Sequence, residues 1–325
     1  MGRTRSAPCA ASAGSLSLPE SVSSALESGR EALLLEVARL NGGRAPDACS
    51  LGEARQRLAA LATSADRVGV SFTGAALHHA YYSSKFHLRG GLLFAALEAA
   101  LDFHACVQDT LLPNATQTSL RVASIGGGPG TDVAGLALLE QRRLRYGAAQ
   151  RALARRSEDT CEEHSPAVAC TLYDLERSWR RYLPALSGLM PQVSLSFHPC
   201  DVRCALSNAE AAECVNKHLA ACVSSTRLFI FSFVAHETAV AAAATCHVFY
   251  RQLSCAAPDG ALFLFLDVRG HAADVLNEIH AAMASSLLDA DGSHSITRLS
   301  LPTTLPADSL LLHKRDGVIK APQAV

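Results

Sequence analysis

Ser124-Ile125-Gly126-Gly127-Gly128-Pro129-Gly130-Thr131-Asp132, or SIGGGPGTD, stands directly after the apolar run RVASIG (Arg121 to Gly126) and before a helix-forming stretch. Glycine lacks a Cβ, so Gly126, Gly128 and Gly130 let a chain leaving a strand turn tightly and approach a ligand closely before a helix begins. In an open parallel sheet that position is the crevice at the carboxyl ends of the strands, where ligands bind. The loop therefore sets the expectation of a strand, a turn and a helix with a ligand site on the turn.

Downstream the pattern repeats. Short apolar runs follow at VACTLYD (Val168 to Asp174), VSLSFH (Val193 to His198), RLFIFSF (Arg227 to Phe233), ALFLFLDV (Ala261 to Val268), SITRLSL (Ser295 to Leu301) and SLLLHKR (Ser309 to Arg315). The first five runs, counted from RVASIG, are each followed by a stretch of helix-forming composition. Strands alternating with helices give a mostly parallel sheet covered on both faces. The last two runs are joined only by PTTLPAD, too short for a helical crossover, so they are expected to pair antiparallel. The expected fold class is α/β, a seven-stranded Rossmann-like sheet with its last strand reversed.

Upstream the pattern is helical. Periodicity from Pro19 to Leu40 ends at Asn41-Gly42-Gly43, a second helix is expected over Leu51 to Ala65, and a third region covers Thr73 to Leu112, closed by Pro113-Asn114. The chain thus divides into a tail over 1–17, a helical region over 18–115 and the α/β domain over 116–325. The segment QRRLRYGAAQRALARRSEDTCEEHSP, between the first crossover helix and the second strand, reads as an extended helix with a solvated loop.

A dinucleotide fingerprint G-x-G-x-x-G starting at Gly126 would need glycine where Thr131 stands. The pattern G-x-G-x-G is met by Gly126, Gly128 and Gly130, and here the chain resembles class I S-adenosylmethionine-dependent methyltransferases, over roughly Arg121 to Arg315. The resemblance implies S-adenosyl-L-methionine as the cofactor, with Gly126, Gly127, Gly128, Gly130 and Asp132 forming its loop. It implies an acid after the second strand to accept from the ribose hydroxyls, which is Asp174, with Glu176 as the fallback. The spacing of 48 residues from Gly126 exceeds the roughly 20 of a compact unit, and the long segment before the second strand accounts for it. It places Asp201, in HPCDV, near the adenine amino group, and Ser232 and Phe233, in FSFVAHE, along the methyl-donor side. His236 and Glu237 are the candidate bases by position.

In AYYSSKFHLRGG, Tyr81, Tyr82, Lys85, Phe86 and Arg89 stand at near-helical spacing and are expected to close over the cofactor, with Lys85 or Arg89 facing its carboxylate and the tyrosines forming the acceptor pocket, and Gly90-Gly91 signals a close backbone contact. FSFVAHE lacks the Asp/Asn-Pro-Pro-aromatic motif of adenine-amino methyltransferases. Pro199-Cys200 follows the third strand, the wrong one for a cytosine-C5 nucleophile. A noncatalytic methyltransferase-like binding module is the alternative function.

Composition bounds the partners. A formal net charge of -1 gives no global field for a polyanion, although the basic stretch Arg142 to Arg156 keeps RNA open beside protein and small-molecule acceptors. The 11 cysteines are scattered without C-x-x-C spacing, which fits reduced thiols in a cytoplasm-like compartment and no metal site. The Arg-, Ser- and Ala-rich start leaves an organelle transit peptide as the second reading of the tail. No apolar run of 18 residues suggests a membrane span.

Overall fold

A computed structural model of the chain describes residues 16–63, 72–112, 119–154, 167–207, 214–267, 270, 272–290 and 293–316. Among them seven strands form one sheet: β1 (Ser119–Ile125), β2 (Ala167–Asp174), β3 (Val193–Pro199), β4 (Leu228–Ser232), β5 (Leu262–Asp267), β6 (His294–Leu299) and β7 (Asp308–Asp316). Their order is β3-β2-β1-β4-β5-β7-β6. β1 to β5 run parallel, while β7 pairs antiparallel with both β5 and β6. This is the Rossmann-like sheet with a reversed last strand that the apolar runs imply. β4 and β5 are buried at every position because helices cover both faces, which is why they read as continuous apolar runs.

Crossovers follow each parallel strand. They comprise α5 (Thr131–Ala154) after β1, a 3₁₀ turn (Arg177–Tyr182) with α6 (Leu183–Leu189) after β2, and α7 (Lys217–Cys222) after β3. α8 (Ala239–Ala244) and α9 (Val248–Ala256) follow β4, and α10 (Ala273–Ala290) follows β5. The chain passes from β1 to β2 and β3 on one side and then returns to β4 on the other. The crevice between the ends of β1 and β4 is therefore the topological switch point.

Four described helices precede the sheet: α1 (Glu20–Leu40), α2 (Ala48–Thr63), α3 (Ala75–Phe103) and α4 (Ala105–Leu111). α1 buries Val22, Leu26, Gly29, Leu33 and Val37, a stripe with the three-and-four spacing of one helix face. That stripe meets α3, where Gly29 lets the Phe86 ring lie 3.2 Å from where a Cβ would stand. α3 in turn lies on α5 through glycines: a Cβ on Gly135 would sit 2.8 Å from the Gly90 carbonyl, and one on Gly90 would sit 3.2 Å from the Thr131 carbonyl. The close contact signalled by Gly90-Gly91 is thus with α5 and the Leu26 and Leu18 side chains. Residues of α1 to α5 share one hydrophobic core with a face of the sheet, and α7, α9 and α10 form the core of the other face.

The basic stretch is partly structural. Arg142 bridges α5 to Glu98 and Asp102 of α3 at 2.8 and 2.6 Å, and Arg143 is fully buried beside Glu140. α5 carries this segment as helix to Ala154, and 155–166 lie outside the described residues, as do Pro113-Asn114, Val268 and 1–15 of the tail. No single described helix is long and apolar enough to cross a membrane.

Candidate cofactor and active site

The glycine loop hangs from β1 by a bond from the Gly126 N–H to the Tyr173 carbonyl of β2, at 2.8 Å. Gly126 and Gly130 have φ of +72° and +76°, in the left-handed region where a side chain is strained. Gly128 is excluded from carrying a side chain for a different reason. A Cβ there would lie 2.4 Å from Asp174 Oδ2 and 2.5 Å from the indole of Trp179. Gly127 likewise lies against Ser124 Oγ.

Asp174 ends β2 beside the loop, where the sequence places it. Its Oδ2 accepts from the Gly128 N–H at 3.0 Å and its Oδ1 from the Glu176 N–H at 2.8 Å. Each carboxylate oxygen retains a further lone pair. Desolvation pushes the carboxyl up to about 7, against the lowering effect of the two backbone bonds. Glu176, the fallback acid, instead ties the backbone together, accepting from the N–H groups of Phe72 and Ser178, both at 3.0 Å. His78 holds Phe72 in the same corner, since its Nε2 meets the Phe72 carbonyl and its Nδ1 the Tyr182 hydroxyl at 2.8 Å. Burial holds His78 down at about 4, hence neutral.

Asp132 is fully buried beneath the loop. Ser124 Oγ donates to its Oδ2 at 2.6 Å and Ser232 Oγ to its Oδ1 at 2.7 Å, so the two residues named for the cofactor, Asp132 and Ser232, bind each other across β1, α5 and β4. Desolvation raises the Asp132 carboxyl and both serine bonds counter it. Tyr82 is likewise inside the protein, its hydroxyl donating to the Pro129 carbonyl at 3.0 Å. It props the loop from α3. Asp201 sits after β3 with both oxygens held by Arg203, at 2.8 and 2.7 Å, and its backbone N–H donates to Asn216 Oδ1. Burial would raise that carboxyl, but the Arg203 bonds and charge outweigh it and the net shift is downward.

Phe233 turns the chain out of β4 at φ +58°, an unusual conformation for a bulky residue. The position is held by a 2.7 Å bond from its N–H to the Leu266 carbonyl of β5. The Arg89 guanidinium lies 3.8 Å above the Phe233 ring and donates to the Tyr81 hydroxyl. Tyr81 in turn belongs to an aromatic cluster with Trp179, Phe72, His78, Tyr82 and Tyr182. This cluster walls the loop on the α3 side. A Cβ on Gly126 would lie 2.8 Å from Val234 Cβ and 3.2 Å from the Ser232 carbonyl, which places the turn after β4 against the same loop. The neighbouring His236 is buried. Its Nδ1 bonds Asp267 Oδ1 and its backbone N–H donates to Asp267 Oδ2 at 3.0 Å.

Sequence reasoning missed Trp179, Ser124 and Asp267. Asp267 was open to detection by the same signal as Asp174, an acid closing an apolar strand, FLFLD, at the carboxyl end of the sheet. Trp179 carries no such signal, because its place on Gly128 depends on how the 3₁₀ turn folds back. Gly128→Ala is expected to displace that indole, the chain's single tryptophan. Its fluorescence should shift to the red while the far-ultraviolet circular dichroism stays unchanged. Unshifted emission would show that the loop tolerates a Cβ.

No protein-family model and no curated protein sequence matches the chain. Among solved structures it is similar to the CurJ carbon methyltransferase, at 10% identity and a TM-score of 0.43, over 90% of this chain and 71% of that one. It is similar to a putative O-methyltransferase from Nostoc punctiforme at 10% identity and a TM-score of 0.39, over 82% and 68%. It is also similar to Aeropyrum pernix fibrillarin in complex with S-adenosyl-L-methionine, at 11% identity and a TM-score of 0.32, over 67% and 76%.

Proposed function

We propose that this chain is an S-adenosylmethionine-dependent methyltransferase. The observation that carries the reading is the pairing of the Gly126-to-Gly130 loop with Asp174 at the switch point of a sheet whose last strand is reversed. Gly128 without a Cβ, against a carboxylate with lone pairs to spare, suits a ribose whose two hydroxyls donate to Asp174. The loop would approach the ligand with its backbone, and Arg89, a cation stacked on Phe233 at the mouth, would take the cofactor's carboxylate. Asp132, Ser232 and Tyr82 support this site from below, through the hydrogen bonds that hold the loop and the ends of β1 and β4 together. Asp201 would reach an adenine amino group only by sharing its oxygens with Arg203.

The cofactor supplies a methyl group already activated by a sulfonium. The protein's part is to align the acceptor, exclude water and take up a proton where the acceptor carries one. His236 and Glu237, on the turn after β4, are the residues in position to do the last. The acceptor belongs to loops and to the helices in front of the sheet, where RNA, protein and small molecules all stay in the field.

Calorimetry with S-adenosylmethionine, and NAD as the control, tests the reading. We expect saturable binding of the former and none of the latter. NAD binding alone would replace the assignment with a nicotinamide-dependent one, and binding of neither would remove it.

A further inference from the structure

Asp259, His294 and Asp316 come from three separate places in the chain and meet at one end of the sheet. Asp259 lies in the turn just before β5, His294 opens β6 and Asp316 closes β7, so the group sits the whole length of β5 away from the glycine loop. Backbone pairing fixes all three. His294 stands directly opposite Asp316 in the β6–β7 ladder, and the Gly260 N–H beside Asp259 donates to the Lys314 carbonyl of β7 at 3.0 Å. His294 Nδ1 is 3.1 Å from Asp259 Oδ1 and 4.0 Å from Asp316 Oδ1, and ligand atoms of the three side chains all lie within 4.8 Å of one another.

The ring supplies a second observation. His294 Nδ1 is shielded from solvent yet makes no hydrogen bond among the described residues, although an Asp259 oxygen is within reach. A separation short enough for a hydrogen bond that forms none means that the carboxylate stands off the direction of a ring N–H. A shielded polar atom left in that state is costly and uncommon. A cation among the three groups removes the cost, because it takes the Nδ1 lone pair and one oxygen from each carboxylate and offsets the repulsion between the two acids. Ligand bonds of about 2.0 to 2.2 Å set two ligands of one ion roughly 3 to 4.3 Å apart, the range in which Nδ1 stands from each of the two oxygens.

We propose that Asp259, His294 and Asp316 bind a divalent transition-metal ion of the zinc kind, with water completing its coordination. One imidazole nitrogen with two carboxylate oxygens suits such an ion better than it suits calcium or magnesium, which take oxygen ligands. The ion joins the turn before β5 to the open end of the β6–β7 pair, and so clamps the last two strands to the sheet. No cysteine takes part, so cysteine spacing, which bears on thiolate sites, says nothing about this one. The site is independent of the methyltransferase reading and lies away from the residues that carry it.

The test titrates the whole, reduced chain with cobalt(II), which occupies zinc sites and whose visible absorption separates nitrogen and oxygen ligands from the thiolates of the 11 cysteines. We expect one equivalent to bind with the weak bands of nitrogen and oxygen ligation, and zinc to displace it. Saturation should raise the melting temperature by a few degrees, since an ion that binds only the folded chain stabilises it. His294→Ala should weaken binding at least tenfold and abolish the thermal shift. Asp316 has a side chain 80% exposed, so Asp316→Asn is expected to fold as the parent does and to lose about tenfold in affinity, which keeps the test decisive if His294→Ala does not fold. No saturable binding, thiolate absorption alone, or binding and thermal shift that survive Asp316→Asn unchanged would overturn the proposal.

Discussion

Asp174→Ala is expected to weaken S-adenosylmethionine binding by about 100-fold or more, measured by calorimetry. Two hydroxyls donating to a charged acceptor contribute roughly 1.5 to 3 kcal/mol each, and every 1.4 kcal/mol is about a factor of ten in affinity. The substitution also removes the acceptor for the Gly128 and Glu176 N–H groups, which loosens the Gly126-to-Gly130 loop. The pH dependence provides an independent check. With the carboxyl at about 7 in the folded protein, the ionised form that accepts from the hydroxyls is scarce in mild acid. Affinity should therefore rise by about tenfold between pH 6 and 8, where the ionised fraction grows most, and level off above. Stability runs the other way. A carboxyl raised above its unfolded value holds more protons in the folded chain, so stability without ligand declines as pH climbs from about 4 to about 7. Equal affinity for the variant and the parent, or a flat profile, would remove Asp174 from the ribose.

Arg143→Met is expected to cost about 3 to 5 kcal/mol of folding stability, read from urea unfolding, because it leaves one member of a buried ion pair alone. Arg143 and Glu140 are both buried on α5, and the arginine also donates to the Leu111 carbonyl at the end of α4. Desolvation already raises the Glu140 carboxyl, and the Arg143 charge and hydrogen bond oppose that. Without the arginine the rise is larger, so the variant's folded state binds its proton more tightly than its unfolded state does. The stability deficit should then shrink as pH falls toward 4 and be greatest at neutral pH. The double variant Glu140→Leu/Arg143→Met removes the stranded charge and should recover most of the loss. An undiminished deficit at low pH would assign the effect to packing.

Much of the architecture is legible in the order of residues. Seven apolar runs, the first six separated by helical stretches, define seven strands, and PTTLPAD is too short to carry the last connection over the sheet, so the end had to reverse. The glycines of SIGGGPGTD and the acid of LYD can be placed in one site because both follow strands whose ends face the same way. Arg89, Phe233, His236 and Glu237 were also within reach, since each lies on α3 or on the turn that leaves β4.

What side chains do in that site is a matter of distance, and distance comes only with the folded chain. Asp132 and Ser232 are as polar in sequence as Asp174, yet burial turns them toward each other while Asp174 keeps lone pairs at the loop. Asp201 is claimed by a neighbour two residues away, and Tyr82 by the carbonyl of Pro129. Local periodicity and turn chemistry, which act between near neighbours, determined the strands, the helices and the glycine loop between β1 and α5 from sequence alone. The aromatic wall of Trp179, the join of α3 to α5 through Gly90 and Gly135, and the bond between His236 and Asp267 were decided by tertiary packing, because their partners are remote in the chain and meet only when the sheet and its helices close.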